Sequence, residues 1–232
     1  MIFYGDFHIH TYFSDGCTDL GTLINLAIKS GFNFISKADH NTDKGNNALK
    51  RLAQKKNLVY ISCVEISTNS AHILAINCKK FNKKWVGMNT FEVIDELKEE
   101  NIYSVYCHPY WRSKENLIFK ELRCNGVEII NQTSPFGSLK MLKEMKRDKQ
   151  IYAKYGCLSS SDSHTGVSIG RYINKIPASE NSETGLMEAL YKNRVEIVDT
   201  SFIDTLWLSL LDGKNLAVEK LRQKNYKYLK KL

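Results

Sequence analysis

Six histidines carry the first signal: His8, His10, His40, His72, His108 and His164. Each stands at or near the C-terminal end of a predicted strand, or at the start of one. Active sites of βα barrels gather at the C-terminal ends of their strands. His8-Ile9-His10 is an i, i+2 pair, and on a strand such a pair points to one face, so both imidazoles can reach one metal ion. Asp162-Ser163-His164 repeats the arrangement, and Asp39-His40 ends another strand. Glu65 is the lone acid of the apolar run VYISCVEIS, where an unpaired buried carboxylate is costly and a metal ion would remove the cost. Imidazole mixed with carboxylate and no thiolate suits Zn, Mn or Fe, not an Fe–S cluster or Cu(I). Cys107, beside His108, is expected to face away from the site if the strand alternates.

These residues need elements to hold them. IFYGDFHIH, NFISKADH, LVYISCVEIS, AHILAINC, IYSVYCHP, GVEIIN and KYGCLSSSDSH read as strands, with a hairpin through Thr68–Ser70 joining the third and fourth. LGTLINLAIKSG has apolar residues at helical spacing and a Gly stop. NNALKRLAQKKN, Met88–Asn101 (with Thr90 as the N-cap) and SLKMLKEMKRDKQ complete the early helices. Strands separated by helices of this size indicate parallel βα units in one domain. After Ser168, Ser182–Lys192 reads as a helix, VEIVD as a strand, Leu206–Leu211 as either, and Leu216–Leu232 as a basic amphipathic helix.

The chain has 232 residues, 43% of them hydrophobic, which excludes a disordered chain and suffices for a large single core. No apolar run reaches the ~18 residues that cross a bilayer. A signal peptide is not expected, because His8 and His10 sit where its apolar region would lie. The six cysteines form no CxxC pair and read as reduced thiols of a cytoplasmic protein. A net charge of +8 favours anionic substrates, phosphate esters and nucleic acid first, and equally fits a Lys-rich solvated surface.

In order along the chain, DFHIHTYFSDG, ADHNT, VEIS, CHPY and SSDSHTGVSIGR resemble the motifs of the PHP (polymerase and histidinol phosphatase) family, over roughly Ile2 to Pro177. The resemblance implies a distorted (β/α)7 TIM-like barrel that binds two or three divalent ions and hydrolyses phosphate esters, with 178–232 as a mostly helical extension packed on it. It implies that His8 and His10 bind a first ion with Asp162, that Glu65 bridges this ion to a second completed by His72 and His108, and that Asp15, His40 and His164 bind a third. Asp6 and Asp39 match family positions and are expected to orient histidine ligands, or else to cap strand ends. Glu65, Asp162 and His164 then form the catalytic centre. A hydroxide shared between ions would attack phosphorus, with no protein nucleophile.

Arg171, in SIGR, and Arg112, after HPYW, are the candidate phosphate contacts. Tyr110 and Trp111 are candidate stacking residues or rim packing. The expected partner is a phosphorylated small molecule or a nucleic-acid end, and no membrane. Only 53 residues separate His108 from Asp162, too few for the helical insertion of the oligonucleotide-acting branch. ENLIFKELRCNGVEIINQTS most resembles stand-alone PHP proteins, with histidinol-phosphate-type phosphatases as the alternative branch. A metal-dependent amidohydrolase would typically keep a metal-bridging Lys and fewer carboxylates. A nucleic-acid-binding module finds support only in the basic tail Lys220–Lys231.

Overall fold

Asp19 starts the first helix by accepting hydrogen bonds from the Gly21 and Thr22 amides. Helix α1 (Leu20–Lys29) then buries the stripe Leu20, Leu23, Ile24 and Ala27. The computed structural model describes residues 1–110, 122–148, 150–197 and 202–229. Within them β1 (Ile2–Gly5) precedes α1, and β2 (Phe34–Ile35), α2 (Asn46–Lys55), β3 (Val59–Tyr60), β4 (Cys63–Ser67) and β5 (His72–Ile76) follow it. Next come α3 (Thr90–Glu99), β6 (Tyr103–Tyr106), β7 (Gly126–Asn131), α4 (Pro135–Arg147), α5 (Gln150–Lys154) and β8 (Gly156–Ser160). The chain continues with β9 (Asn174–Pro177), α6 (Glu183–Tyr191), β10 (Glu196–Ile197) and α7 (Phe202–Leu229).

The architecture is mixed α/β. The described strands form a five-stranded sheet in the order β4-β5-β6-β7-β8, a β1-β9-β10 sheet and a β2-β3 pair. Short joints link their edges. Ile9 and Ser163 bridge β1 to the end of β8, the Ala38 amide reaches the Ile9 carbonyl at 2.8 Å, and His40 bridges to Glu65. The parallel units expected from the sequence hold for part of the sheet, and the hairpin expected through Thr68–Ser70 joins β4 to β5. β6-β7-β8 and β2-β3 run parallel, whereas β4-β5 and β5-β6 run antiparallel. The turn after Ser67 is too tight for anything else: the Thr68 amide and hydroxyl both reach the Ala71 carbonyl, at 2.9 and 2.6 Å. The reversal matters for the site, because it brings the first residue of β5, His72, opposite Ser67 at the end of β4.

Two sequence expectations shift locally. Asn89, not Thr90, caps α3 and accepts from the Phe91 and Glu92 amides, while the Thr90 hydroxyl meets those of Thr68 and Ser70. The separate segments at Leu206–Leu211 and Leu216–Leu232 fall mostly in one helix, α7, which ends at Leu229.

Alternation along the strands divides the core. Val64, Ile66, Ile73 and Ala75 pack outward with Trp85, Val93 and Leu97. Cys63, Leu74, Ile76, Val105 and Leu158 pack with Phe3, Phe7 and Phe34, and Leu186 and Leu190 of α6 complete that cluster. Glu65 lies on the same side of β4 as Cys63, two residues on, so it stands at the margin of this apolar filling. The segment after 177 is thus built in at three places: α6 fills the core, β10 pairs with β9, and the Leu208 carbonyl of α7 accepts from Gln132 at 3.1 Å. All six cysteines are free thiols, five of them buried. Among the described residues no helix is long and apolar enough to cross a membrane.

Candidate metal centre

Past β1, Phe7 and Ile9 are buried in the cores while His8 and His10 turn together to the other side. Their Nε2 atoms stand 3.1 Å apart. Glu65 Oε2 lies 3.2 Å from each, and Asp162 Oδ1 lies 3.5 Å from His8 Nε2 and 3.0 Å from His10 Nε2. The other Glu65 oxygen, Oε1, faces a different set, 2.9 Å from His72 Nδ1 and 3.0 Å from His108 Nε2. His40 Nδ1 is 3.0 Å from Glu65 Oε2. Asp15 Oδ2 lies 3.3 Å from His164 Nε2 and 3.9 Å from His40 Nε2, and Asp15 Oδ1 is 3.5 Å from His10 Nδ1. All nine residues singled out as ligands therefore converge. Seven of them, all but His8 and His10, line an open cavity of about 160 Å³.

The arrangement fits divalent cations. Donors sharing one ion at bonds of about 2.1 Å stand about 3.4 Å apart, and His8 Nε2, His10 Nε2 and Asp162 Oδ1 lie 3.0 to 3.5 Å from one another. Glu65 Oε2, Asp162 Oδ1 and His40 Nδ1 are buried and have no hydrogen-bond partner among the described residues. Electrostatics show the same demand for positive charge. Burial acts to lower His8, yet Glu65, Asp162 and Glu128 outweigh it and hold the imidazole well above its ordinary pKa. His10 and His108 are raised despite burial by the same kind of carboxylate contact, and His164 is raised to about 9, chiefly by Asp15 and Asp162 against burial. Burial acts to raise Asp15, Glu65 and Asp162, but the surrounding imidazoles hold all three below the usual carboxylate range. Protons on imidazole and metal ions are alternative ways to balance this cluster.

Two of these residues hold left-handed backbone conformations, His108 with φ 28° and Asp162 with φ 48°. Such strain in non-glycine residues persists where surrounding structure imposes it, commonly at functional sites. The turn at His108 also corrects the expectation for Cys107. The chain leaves β6 at Tyr106, alternation ends, and Cys107 Sγ lies within 4.8 Å of donor atoms of His8 and Glu65. Burial pushes that thiol well above its ordinary pKa, so it stays protonated beside the cluster.

Asp6 and Asp39 act on backbone and hydroxyls, not on imidazole rings. Asp6 accepts from the His8 and Ser161 amides, both at 3.0 Å, and burial raises it to about 7. Asp39 accepts from the Thr11 amide and hydroxyl, from the Ser14 hydroxyl at 2.7 Å and from the fully buried Lys37 ammonium at 2.7 Å. It thus ties the loop after His10 to the end of β2, which is the capping alternative, and it reaches His10 Nδ1 only through Ser14 Oγ, 3.5 Å away.

Three residues that complete the site went unread in the sequence. Glu128 Oε1 lies 2.7 Å from His8 Nδ1, and its Oε2 accepts from the His108 amide and Asn131 Nδ2. It is the lone acid of the buried strand GVEIIN, the same signal that marked Glu65. Thr133 donates to Asp162 Oδ2 at 2.6 Å, leaving Oδ1 toward the imidazoles. Asp212, on α7, accepts from the His164 and Thr165 amides at 3.0 and 3.1 Å and from the Thr165 hydroxyl.

The phosphate contacts fare differently. Arg171 is exposed and is not part of the cavity wall. The turn carrying it packs against the end of α1: Gly170 has φ 87° and lies so close to Ser30, just past α1, that a Cβ would collide with it. Arg112 and Trp111 lie outside the described residues. The Tyr110 ring carries the Lys140 ammonium 3.8 Å from its centroid.

No family model matches the chain. It is 25% identical over 167 residues to an uncharacterised protein of Methanocaldococcus jannaschii, covering 66% of this chain and 96% of that one. It is 28% identical over 115 residues to a 5'-3' exoribonuclease of Haemophilus influenzae, 44% of this chain and 42% of that one. Among solved structures it resembles a two-domain protein of Bacteroides vulgatus containing a predicted PHP-like metal-dependent phosphoesterase. The TM-score is 0.62 at 18% identity, over 91% of this chain and 70% of that one. A lesion-specific endonuclease of Pyrococcus furiosus aligns with TM-score 0.55 at 15% identity, over 85% and 58% of the two chains. An amidohydrolase of Chromobacterium violaceum aligns with TM-score 0.56 at 13% identity, over 83% and 97%. The likeness that the motifs carry is thus matched in three dimensions: this chain has the fold of the PHP-like metal-dependent phosphoesterases.

Proposed function

We propose that the chain is a PHP-type phosphoesterase that hydrolyses phosphate esters on a cluster of two or three divalent ions (Zn, Mn or Fe). The observation that carries this reading is the Glu65 carboxylate, whose oxygens face two different imidazole sets: His8, His10 and His40 on one side, His72 and His108 on the other. A single buried carboxylate so surrounded suits a bridge between cations. In this reading the strands form the distorted (β/α)7 barrel of one domain, with 178–232 packed onto it. The six free thiols suit the cytoplasm.

His8, His10 and Asp162 would hold one ion, His72 and His108 a second, and Asp15, His40 and His164 a third, with Glu65 shared between the first two. Divalent ions held there supply the Lewis acidity that acidifies water and neutralises phosphoryl oxygens. The chain's own groups do the positioning. Glu128 accepts the Nδ1 proton of His8 and so presents the Nε2 lone pair to the cluster. Thr133 and Asn131 hold one oxygen of Asp162 and aim the other. His10 and His164, committed to ligation, are not free to act as general acids, and no Ser or Cys nucleophile is called on.

The substrate is a phosphorylated small molecule or a nucleic-acid end. The exoribonuclease and the endonuclease among the similar proteins favour the latter. The amidohydrolase shares the fold, but the described wall of this cavity holds no lysine to bridge ions, which favours phosphoester chemistry. The test is to reload purified protein separately with Mn, Zn and Fe and to follow phosphate release from a 5'-mononucleotide and a 5'-phosphorylated oligonucleotide. Hydrolysis abolished by EDTA is expected. Less than one ion per chain after reloading, or no phosphoester cleaved with any metal, overturns the reading.

A further inference from the structure

Lys37 is a cation that the metal centre does not account for. It is 0% exposed and lies in the run Phe34–Asp39, which is buried throughout. Lysine is almost never fully buried unless it is paired. Here the ammonium stands 2.7 Å from Asp39 Oδ2, equally buried, and 5.5 Å from the centre of the Phe13 ring. Replacing a buried ion pair by apolar groups of similar volume is often neutral or stabilising, so packing alone gives no reason for a lysine at this place.

What the pair holds does give one. Asp39 Oδ1 accepts from the Thr11 amide at 2.8 Å and from the Ser14 hydroxyl at 2.7 Å. Its Oδ2 accepts from the Thr11 hydroxyl at 2.6 Å and from Lys37. A carboxylate offers about four lone-pair sites, so Asp39 is filled and keeps none for a metal ion, although it adjoins His40. Thr11, Phe13 and Ser14 thus all meet the Lys37–Asp39 pair, and Asp15 comes next in the chain. The loop is tight behind them, with the Ser14 and Gly16 amides both bonded to the Thr11 carbonyl at 3.1 Å. Asp15 itself has 40% of its side chain exposed, so its place depends on the loop that carries it.

We propose that Lys37 is a positioning residue for the ion assigned to Asp15, His40 and His164. Through Asp39 it sets two of these three candidate ligands against each other: Asp15, carried by the tethered loop, and His40, the residue after Asp39. Removing the ammonium leaves a buried carboxylate without its counter-charge, which strains every contact Asp39 makes to the loop. The ions centred on Glu65 have other supports, such as Glu128 at His8, and do not depend on this pair. The role rests on the metal reading given above.

The experiment titrates zinc into metal-free protein and separates the ions by calorimetry and by the nitrogen NMR shifts of the histidine rings. In Lys37→Met the dissociation constant read at His40 and His164 is expected to rise about tenfold or more, while His8, His72 and His108 titrate as in wild type. Ser14→Ala cuts one tether and leaves the buried pair in place. It should weaken the same ion, and in the double variant the two losses should fall short of adding, because they lie on one route. If Lys37→Met does not fold, Lys37→Met/Asp39→Asn, which buries no lone charge, takes its place with the same expectation. Equal weakening of every ion marks a general loss of structure and overturns the role. Strictly additive losses overturn the route through Asp39. Wild-type protein that takes up no third ion overturns the metal reading at Asp15, His40 and His164, and this role with it. A third ion held alike by wild type and the folded variant overturns this role alone.

Discussion

Oε1 of Glu128 stands 2.7 Å from Nδ1 of His8, two buried groups 120 residues apart in sequence. The contact sets how the first candidate ligand faces the cluster, because a proton held on Nδ1 leaves the Nε2 lone pair free. Glu128→Gln keeps the shape but removes the charge that holds this proton. A loss of about tenfold to a hundredfold in metal affinity is expected, the scale typical of groups that orient ligands. Titration of apoprotein with zinc checks it, and wild-type affinity in the variant would remove Glu128 from the site.

Glu65→Gln is expected to do more. Its two oxygens face separate imidazole groups, so the substitution removes a charge from both. Metal content should drop by more than one ion per chain and phosphoesterase activity by more than about a hundredfold, beyond the loss expected from orienting groups. Full metal content with full rate would show that Glu65 is not the bridge.

The two glutamates also show what could be read in advance. Each is a lone acid in an apolar strand, VEIS and GVEIIN, and the same cost of burial applies to both. The cost marks Glu65 first and the VEIS motif repeats the signal, whereas GVEIIN carries the same cost with no motif beside it. His72 is assigned by resemblance: the hairpin through Thr68–Ser70 sets β5 against β4 locally, but the pairing of β5 with β6, which brings His72 beside His108, is a long-range choice that no local pattern records. The alternation expected to turn Cys107 from the site breaks two residues past the end of β6, where His108 adopts a positive φ. Arg171 was placed by motif proximity, which says nothing of the direction in which the Gly170 turn carries it.

The metal-free protein should lose stability in mild alkali. His164 is raised from 6.5 to about 9, so its contribution is fully present below pH 6.5 and disappears as pH rises through about 9. His8, His10 and His108 are raised in the same direction. The depressed carboxylates Asp15, Glu65 and Asp162 act oppositely: their contribution is present above the ordinary carboxylate range, about pH 4, and is lost on acidification. Thermal unfolding in EDTA should therefore give a lower Tm at pH 9.5 than at pH 6. Zinc-loaded protein should show a smaller fall, because ligation requires the imidazoles unprotonated and leaves only the buried thiols, raised to about 12, to weaken the fold in alkali. An EDTA-treated protein equally stable at both values would contradict the charge balance inferred for the cluster.

Asp212 links α7 to the third candidate ion. One of its oxygens accepts from the His164 amide at 3.0 Å, and the other accepts from the Thr165 amide and hydroxyl. The residue is 4% exposed, so these donors have little access to water as a substitute. In Asp212→Asn the new amide nitrogen must face a backbone N–H whichever way the side chain is turned, so at least one bond becomes a repulsion. Hydrogen bonds to a charged group contribute about 1.5–3 kcal/mol each, enough to shift the His164 segment. The ion assigned to Asp15, His40 and His164 should then bind at least about tenfold more weakly, while the pair around Glu65 stays filled. Elemental analysis across a zinc titration reads this as one fewer tightly held ion per chain, with the circular dichroism of the folded protein retained. Unchanged stoichiometry and affinity in a folded Asp212→Asn protein would reduce the contact to a helix anchor with no bearing on the metal centre.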